Sequence, residues 1–309
     1  MDSPSETSSP QPLIACVGHC AIDHVFQIDS FPERATKTPA HRYESVGGGM
    51  AANAALACAR LGARVRFVGA VGPDDAGRMV LRQLEAEGID LTHVQEVPGT
   101  HTSASAIIVD RQGERHIFNH RGNALAGARL PDDAVFEGCD AVLVDPRWPG
   151  GARAALMWAR AHGRLSVFDA DVAPQHDLAA LVPLAAWAVF SEPGLAAWSG
   201  PIAQEEALLR AIYLGAGCAA VTLGAHGVVL VSDGRWQRIP AFPVQAVDTT
   251  GAGDVFHGAL TLALARGMQS VDACAYASAA AALKCTRADG IRGAPTAQAL
   301  QAFLRDRHG

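Results

Sequence analysis

The segment Asp248–Leu260, DTTGAGDVFHGAL, combines residue types that suit transfer of a phosphoryl group. Glycines at 251 and 253 let backbone N–H groups converge on one point without side chains in the way. An apolar helix pattern follows, and a helix N-terminus adds partial positive charge at that point. Gly251, Ala252 and Gly253 are therefore predicted to form an anion hole, and Asp254 to take the proton of an acceptor hydroxyl.

The same segment also fits an ordinary capped helix. Asp248, Thr249 and Thr250 are good N-cap residues, and an aspartate in the first turn interacts well with the helix dipole. These residues alone leave the two interpretations evenly balanced. Two other phosphate-binding motifs are excluded, because a Walker A loop needs lysine where Ala259 stands and a dinucleotide fingerprint needs glycine where Phe256 stands.

A second glycine-rich turn, GGGMAAN at residues 47–53, opens a helix of small residues. Gly48 and Gly49 allow the backbone to approach a ligand closely. Asn53 can then offer both a donor and an acceptor to sugar hydroxyls. The alternative is a tight strand-to-helix turn followed by a closely packed helix.

Alternating strand and helix patterns must position these two turns. Short apolar runs predict buried strands at 13–18, 64–69, 141–145, 165–169, 187–191 and 219–223. Helical patterns fall at 75–88, 152–162, 205–214, 251–266, 271–286 and 296–305. This alternation predicts a three-layer α/β/α domain with a mostly parallel central sheet.

Some segments break this alternation. Residues 24–46 and 102–122 contain short β patterns, including a hairpin with its turn at Arg111–Gly113, and they predict a small discontinuous β-sheet lid on the main domain. A further hairpin is expected at 227–239, with its turn at Asp233–Gly234. One large domain that includes this lid is expected to span 13–309, after a disordered Ser/Pro-rich tail at 1–12.

Composition excludes several classes of protein. The chain has 25 basic and 31 acidic residues, a net charge of −6, which argues against a general nucleic-acid binder. We find no apolar stretch long enough for a membrane span and no signal peptide at the start, so a cytoplasmic protein is expected. The seven cysteines form no C-x-x-C pair and the histidines no H-E-x-x-H motif, which favours reduced thiols and no structural zinc.

Taken together, GGGMAANAA and DTTGAGDVFHGAL resemble the two signatures of the PfkB (ribokinase-like) carbohydrate kinase family. VTLGAHGVVL at 221–230 is similar to the family's nucleotide-site strand and loop, and the resemblance extends from about Leu13 to Leu304. Within the family, the segments DPRW, FDADVAP, FSEPGLA and AALKCTRADGIRG are most similar to sulfofructose kinases.

The resemblance implies an ATP-dependent kinase that phosphorylates the 1-hydroxyl of a ketose with an anionic 6-substituent, foremost 6-deoxy-6-sulfofructose. ATP and Mg²⁺ are expected, with K⁺ as a further cation. A homodimer formed through the lid is also expected, because the lid has free strand edges. Another sugar of the family, such as fructose, ribose or a fructose or tagatose 6-phosphate, is the main alternative. A sugar or nucleotide sensor without turnover is the alternative from another class.

The resemblance also assigns roles to individual residues. The catalytic set is Asp254 as base with Gly251, Ala252 and Gly253 as the anion hole. The sugar-binding set is Asp23, Gly48, Gly49 and Asn53. The nucleotide-binding set is Thr222, Gly224, Gly227 and Lys284. Asp248 and Thr250 match a loop that often binds a monovalent cation.

Lys37, Asn119 and Arg147 match positions that hold the sulfonate. A sulfonate is a monoanion with three acceptor oxygens, and these side chains offer it a compact charge, a neutral donor and a fork of donors. One departure concerns magnesium, since Ser191–Gly194 (SEPG) stands where the family often has N-x-x-E.

Overall fold

The computed structural model describes residues 11–288 and 290–307. In these ranges the strands are β1 (Leu13–Val17), β2 (Ala21–Gln27), β3 (Arg42–Gly48), β4 (Arg64–Val68), β5 (Ala70–Val71), β6 (Gln95–Glu96), β7 (Ser103–Val109), β8 (Arg115–His120), β9 (Ala141–Val144), β10 (Leu165–Ala170), β11 (Trp187–Ser191), β12 (Cys218–Thr222), β13 (Val228–Ser232) and β14 (Arg235–Ile239). The helices are α1 (Met50–Arg60), α2 (Asp75–Ala86), α3 (Ala124–Gly127), α4 (Pro149–Ala161), α5 (Gln175–Leu181), α6 (Glu192–Ser199), α7 (Gln204–Leu214), α8 (Ala252–Ala265), α9 (Ser270–Cys285) and α10 (Ala297–Arg305).

The central sheet has the strand order β14-β13-β12-β11-β10-β9-β1-β4. Strands from β4 to β12 pair in parallel, and β13 and β14 add antiparallel pairs at one edge. β1 and β9 are buried along their whole length, which explains their unbroken apolar runs. The predicted α/β fold with a mostly parallel sheet is confirmed. The carboxyl ends of the parallel strands meet at one edge, where such sheets bind ligands.

Helices cover both faces of this sheet. One core cluster combines inner residues of α1, α8 and α9 with one face of the sheet. The other combines α4, α5, α6 and α7 with the opposite face. Among the described residues, no helix is both long and apolar enough to cross a bilayer.

Small side chains allow α1 and α8 to pack against each other. A Cβ added at Gly258 in α8 would lie 2.6 Å from the Ala54 carbonyl oxygen. The Cys58 thiol donates to the Gly258 carbonyl at 3.2 Å. Helix α1 is therefore closely packed, which agrees with the prediction of a tight turn followed by a packed helix. The same packing brings the two glycine-rich turns close together.

A separate four-stranded sheet, β3-β2-β7-β8, forms what we call the lid. β2 pairs antiparallel with β3 and parallel with β7, and β7 and β8 form the predicted hairpin. The lid strands occupy residues 21–48 and 103–120, against the expected 24–46 and 102–122. Side chains at alternate positions give the lid an inner face towards the main domain and an outer face.

The structure adds elements that sequence patterns did not indicate. β5 and β6 are two-residue strands that pair with each other, too short to leave a periodic signal. Ser191 caps α6, and its hydroxyl accepts from the Gly194 N–H at 3.0 Å. The predicted hairpin at the end of the sheet is confirmed as β13 and β14. Residues 1–10 of the tail predicted at 1–12 lie outside the described residues. Within the described part, the Pro12 carbonyl accepts a hydrogen bond from the Arg64 N–H.

Candidate active site

The loop at Asp248–Gly253 begins α8 at the carboxyl edge of the sheet. Gly251 caps the helix with a left-handed backbone (φ 74°), a conformation that favours glycine. The Ala252 N–H donates to the Thr249 carbonyl at 3.1 Å. The N–H of Gly253, in the first turn, has no carbonyl within the helix to accept it and can serve an anion.

Asp254 lies in the first turn of α8, half-buried. Its Oδ2 accepts a hydrogen bond of 2.6 Å from the Asn53 Nδ2. Burial raises the pKa of Asp254 to about 8, the charge of Asp169 adds to this, and the Asn53 hydrogen bond opposes it. A carboxyl with this pKa is a strong base when ionised, which suits removal of a proton from a hydroxyl. Asn53, assigned above to the sugar, therefore also contacts the predicted base.

Asp169 and His257 stand behind Asp254, and the sequence analysis missed both. Asp169 is the last residue but one of β10 and is buried, and its Oδ2 lies 3.3 Å from the His257 Nδ1. The same nitrogen lies 2.8 Å from the Gly253 carbonyl oxygen. Burial lowers the pKa of His257, so the ring is neutral and its N–H can bond to that carbonyl. The sequence signal was the position of His257, three residues after Asp254 and one helical turn away.

A cavity of about 230 Å³ lies between the inner face of the lid and this loop. Asp23, Asn53, Asp248 and Thr250 line it. Burial raises the pKa of Asp23, against a hydrogen bond from Ser105. The cavity thus holds polar side chains from both the lid and the main domain, as a sugar site requires.

The glycines of the GGGMAAN turn fit tightly beside this cavity. A Cβ at Gly48 would lie 2.3 Å from the Asp23 Oδ2. Gly49 has φ 98°, and a Cβ there would lie 2.5 Å from the Cys20 Cα. Both positions require glycine because β3 must turn into α1 directly against β2.

Asp145 supports this region from beneath, and the sequence analysis gave it no role of its own. It follows β9 and is 1% exposed. Its Oδ2 accepts from the N–H groups of His19 (2.8 Å) and Ala51 (3.0 Å), and its Oδ1 accepts from that of Arg147 (2.8 Å). One carboxylate thus ties the end of β1, the start of α1 and the loop after β9 together.

The residues expected at a sulfonate come together only in part. The Arg147 guanidinium lies 3.9 Å from the Asp171 carboxylate. Burial lowers the pKa of His19 to about 4, and the nearby charges of Arg147 and Arg121 add to this. Asn119 donates to the Ser105 hydroxyl at 3.1 Å. Lys37 is exposed on the loop between β2 and β3. Arg121, one residue after β8, is an additional cation that the sequence analysis missed.

A second cavity, of about 540 Å³, lies on the other side of the anion loop. Thr222, Gly224 and Gly227 line it together with Gly253. Small side chains of α9 form its apolar wall, including Ala281. Its size and lining suit an adenine nucleotide with its phosphates at Gly253.

Lys284 does not line this cavity, although it was expected at the nucleotide. Its side chain is completely buried, and its ammonium donates to the Asp248 carbonyl at 2.7 Å. The physical reason is its place near the end of α9, which turns the side chain towards the loop that begins α8.

Filling the apolar wall of this cavity is expected to weaken nucleotide binding. Ala281→Phe adds a ring where the adenine would lie, so the KM for ATP should rise about tenfold or more while the KM for the sugar changes little. Initial rates at varied ATP measure this effect. The exposed Val271→Phe on the same helix serves as control. An unchanged KM for ATP in Ala281→Phe would move the nucleotide out of this cavity.

The fold and the site together define a sugar kinase that uses ATP. A model of the pfkB family of carbohydrate kinases matches residues 11–297. The chain is 30% identical to the ribokinase of Haemophilus influenzae, over 94% of this chain and 98% of that protein. It is 30% identical to fructokinase-1 of Zea mays, over 82% and 87%. The crystal structure of a protein assigned as a ribokinase from Agrobacterium tumefaciens superimposes with a TM-score of 0.91 and 37% identity, over 97% and 99% of the two chains. The chain belongs to the pfkB family of carbohydrate kinases, and kinases of this family use ATP and Mg²⁺.

Proposed function

We propose that this kinase phosphorylates the 1-hydroxyl of a ketose with an anionic group at carbon 6, foremost 6-deoxy-6-sulfofructose. The observation that carries the proposal is the place of Arg147: its N–H donates to the Asp145 Oδ1 at 2.8 Å, and the Asp145 Oδ2 accepts from the Ala51 N–H at the start of α1. The charges of Arg147 and Arg121 both lower the pKa of His19 in the same region. Asn119 lies on the inner face of the lid in the same cross-strand row as Asp23, through Ser105. A sulfonate has three oxygens that such donors can fill.

In the proposed reaction the sugar binds between the lid and the anion loop. Its 1-hydroxyl oxygen forms a bond to the γ-phosphorus of ATP, the bond from that phosphorus to the β,γ-bridging oxygen breaks, and ADP leaves. The hydroxyl proton passes to the Asp254 carboxylate, which Asn53 orients. The Gly253 N–H and the positive end of α8 stabilise the charge on the transferred group.

Magnesium fits this site as an ion that arrives with the nucleotide. Among the described residues, no group of three or more His, Cys, Asp and Glu side chains is arranged to hold a metal ion. Mg²⁺ usually keeps phosphate and water ligands, and it would neutralise part of the phosphate charge. Asp171, which follows β10 and accepts from the Ser191 hydroxyl at 2.6 Å, is the side chain we propose to reach it through water.

A second candidate substrate is an unsubstituted sugar such as ribose or fructose. The relatives at 30% identity named above are a ribokinase and a fructokinase, which favours this alternative. It needs no cation at carbon 6, so it leaves Arg121 and Arg147 without a role in binding.

ADP release with 6-deoxy-6-sulfofructose, fructose 6-phosphate, fructose and ribose separates these candidates. We expect the highest kcat/KM for sulfofructose, since phosphate carries more charge than this small set of cations balances. Arg147→Ala should raise the KM for sulfofructose about tenfold or more, because a charge-assisted hydrogen bond is lost. The exposed Arg153→Ala on α4 should behave as the unmodified enzyme. A preference for ribose or fructose, together with no effect of Arg147→Ala, would contradict the proposal.

We also propose a cytoplasmic homodimer that pairs through the lids. Phe118 and Tyr43 are large lid side chains, 65% and 56% exposed, and such exposed apolar groups favour a partner surface. Light scattering on the full chain tests this, and a monomer at micromolar concentration would contradict it.

A further inference from the structure

We infer that the kinase carries its own monovalent cation: the Lys284 ammonium, joined by the Arg115 guanidinium, takes the place at the Asp248 loop that a potassium ion would fill. The inference uses only the kinase activity and does not depend on which sugar is the substrate. Lys284 and Arg115 act here as positioning residues for the anion hole.

Lys284 is placed as a bound ion would be. It is one of two lysines in the chain and is 0% exposed. Its Nζ lies 2.7 Å from the Asp248 carbonyl oxygen and 3.4 Å from the Asp248 Oδ2. A carbonyl and a carboxylate oxygen of one residue are the oxygen ligands that an alkali cation takes from a protein. A buried ammonium is tolerated only where such oxygens compensate its lost hydration.

The backbone around Asp248 strengthens this arrangement. The N–H groups of Val247 and Asp248 both donate to the carbonyl of Cys285, the last residue of α9. The negative end of that helix therefore points at the loop, and a cation at Lys284 interacts favourably with it.

The side-chain oxygens of Asp248 and Thr250 are also in use. The Asp248 Oδ1 accepts from the Thr250 N–H (2.9 Å) and from Arg115 (3.0 Å), and its Oδ2 accepts from the Gly290 N–H (3.0 Å). A second nitrogen of Arg115 donates to the Thr250 hydroxyl at 2.7 Å. Asp248 and Thr250 were expected above to bind a monovalent cation. Their oxygens are instead occupied by two cationic side chains, so these residues do not fit an additional K⁺ ion.

The two cations have different origins in the fold. Lys284 belongs to α9 of the main domain, whereas Arg115 belongs to β8 of the lid and spans the gap between lid and loop. Asp248 and Thr250 lead directly into Gly251 and the first turn of α8, so fixing them fixes the direction of the anion-hole N–H groups. The chain thereby supplies the positive charge near the phosphates from its own side chains.

The test measures cation dependence in the full-length enzyme. Initial rates in potassium, sodium and choline chloride at equal ionic strength should agree within about twofold. Lys284→Met should lose about tenfold or more in kcat in choline chloride and regain much of it in potassium or ammonium chloride. The exposed Arg305→Met on α10 should show no cation dependence. Strong activation of the unmodified enzyme by potassium would overturn the inference, as would a Lys284→Met variant that potassium does not rescue.

Melting temperature gives a readout that needs no sugar. The unmodified chain should melt at the same temperature in potassium and choline chloride, and Lys284→Met or the milder Lys284→Gln should be stabilised by potassium alone. If both variants fail to fold, the cation dependence of the unmodified chain still decides. If no sugar is phosphorylated, the proposed function fails while the melting comparison continues to test this inference.

Discussion

Replacing Asp254 by asparagine is expected to lower kcat by about a thousandfold, because the hydroxyl proton then has no carboxylate to accept it. The replacement keeps the size of the side chain and its place beside Asn53. Nucleotide binding should survive, since the second cavity does not include this side chain. ADP release measures the first effect and calorimetry with ATP the second.

The control for this change is Asp272→Asn, an exposed aspartate in the first turn of α9, which should retain full activity. The experiment also separates a kinase from a sensor of sugar or nucleotide. A sensor has no need of the base, so unchanged turnover in Asp254→Asn would remove this residue from the mechanism.

The raised pKa of Asp254 gives the same variant a signature in stability. The carboxyl titrates near pH 8 in the folded chain and near its ordinary value of 3.8 in the unfolded chain. Because the folded chain holds this proton more tightly, the free energy of unfolding falls as the pH rises from about 4 to about 8, compared with a variant that has a neutral side chain here. Asp254→Asn should melt higher than the unmodified chain at pH 8 and equally near pH 4. In the free enzyme, kcat/KM should fall as the pH drops below about 8, because the base becomes protonated.

Asp145→Ala is expected to destabilise the fold by about 3 kcal/mol, because three buried or partly buried N–H groups lose their acceptor. The loss is limited by one gain, since burial raises the pKa of Asp145 and the ionised group is itself costly there. The melting temperature should fall by about 5 °C or more. The KM for the sugar should rise as well, because Ala51 is the second residue of α1 and follows the glycines that we propose to contact the sugar.

Asp145→Asn tests the same point more gently. It keeps one acceptor oxygen and should lie between alanine and the unmodified chain. Asp132→Ala, at an exposed position, is the matched control and should leave the melting temperature unchanged. Equal stability of Asp145→Ala and Asp132→Ala would show that these three hydrogen bonds do not hold the turn.

The parts of the site that could be predicted from the sequence are those formed by short contiguous segments of the chain. The glycines and the base at 251–254 occupy four consecutive positions, and buried parallel strands leave unbroken apolar runs. The contacts that sequence did not predict join distant segments: Asn53 and Asp254, each predicted separately, are 201 residues apart, and Ala51 and Asp145 are 94 apart. The contact of Lys284 was missed for the same reason. The sequence pattern predicted its helix, but not that Lys284 would meet the loop at Asp248.

The lid also has a consequence for the history and engineering of the chain. Its central pair, β2 and β7, runs parallel, and the two halves of the lid are separated by α1, β4 and α2. The first half continues through Gly48 and Gly49 straight into α1. The lid is therefore no detachable module: no single deletion removes it intact, and shortening its first half at β3 alters the turn that leads to Asn53. Exchanging this lid for another would need two separate segments of chain, whereas replacing single side chains within it leaves the path of the backbone unchanged.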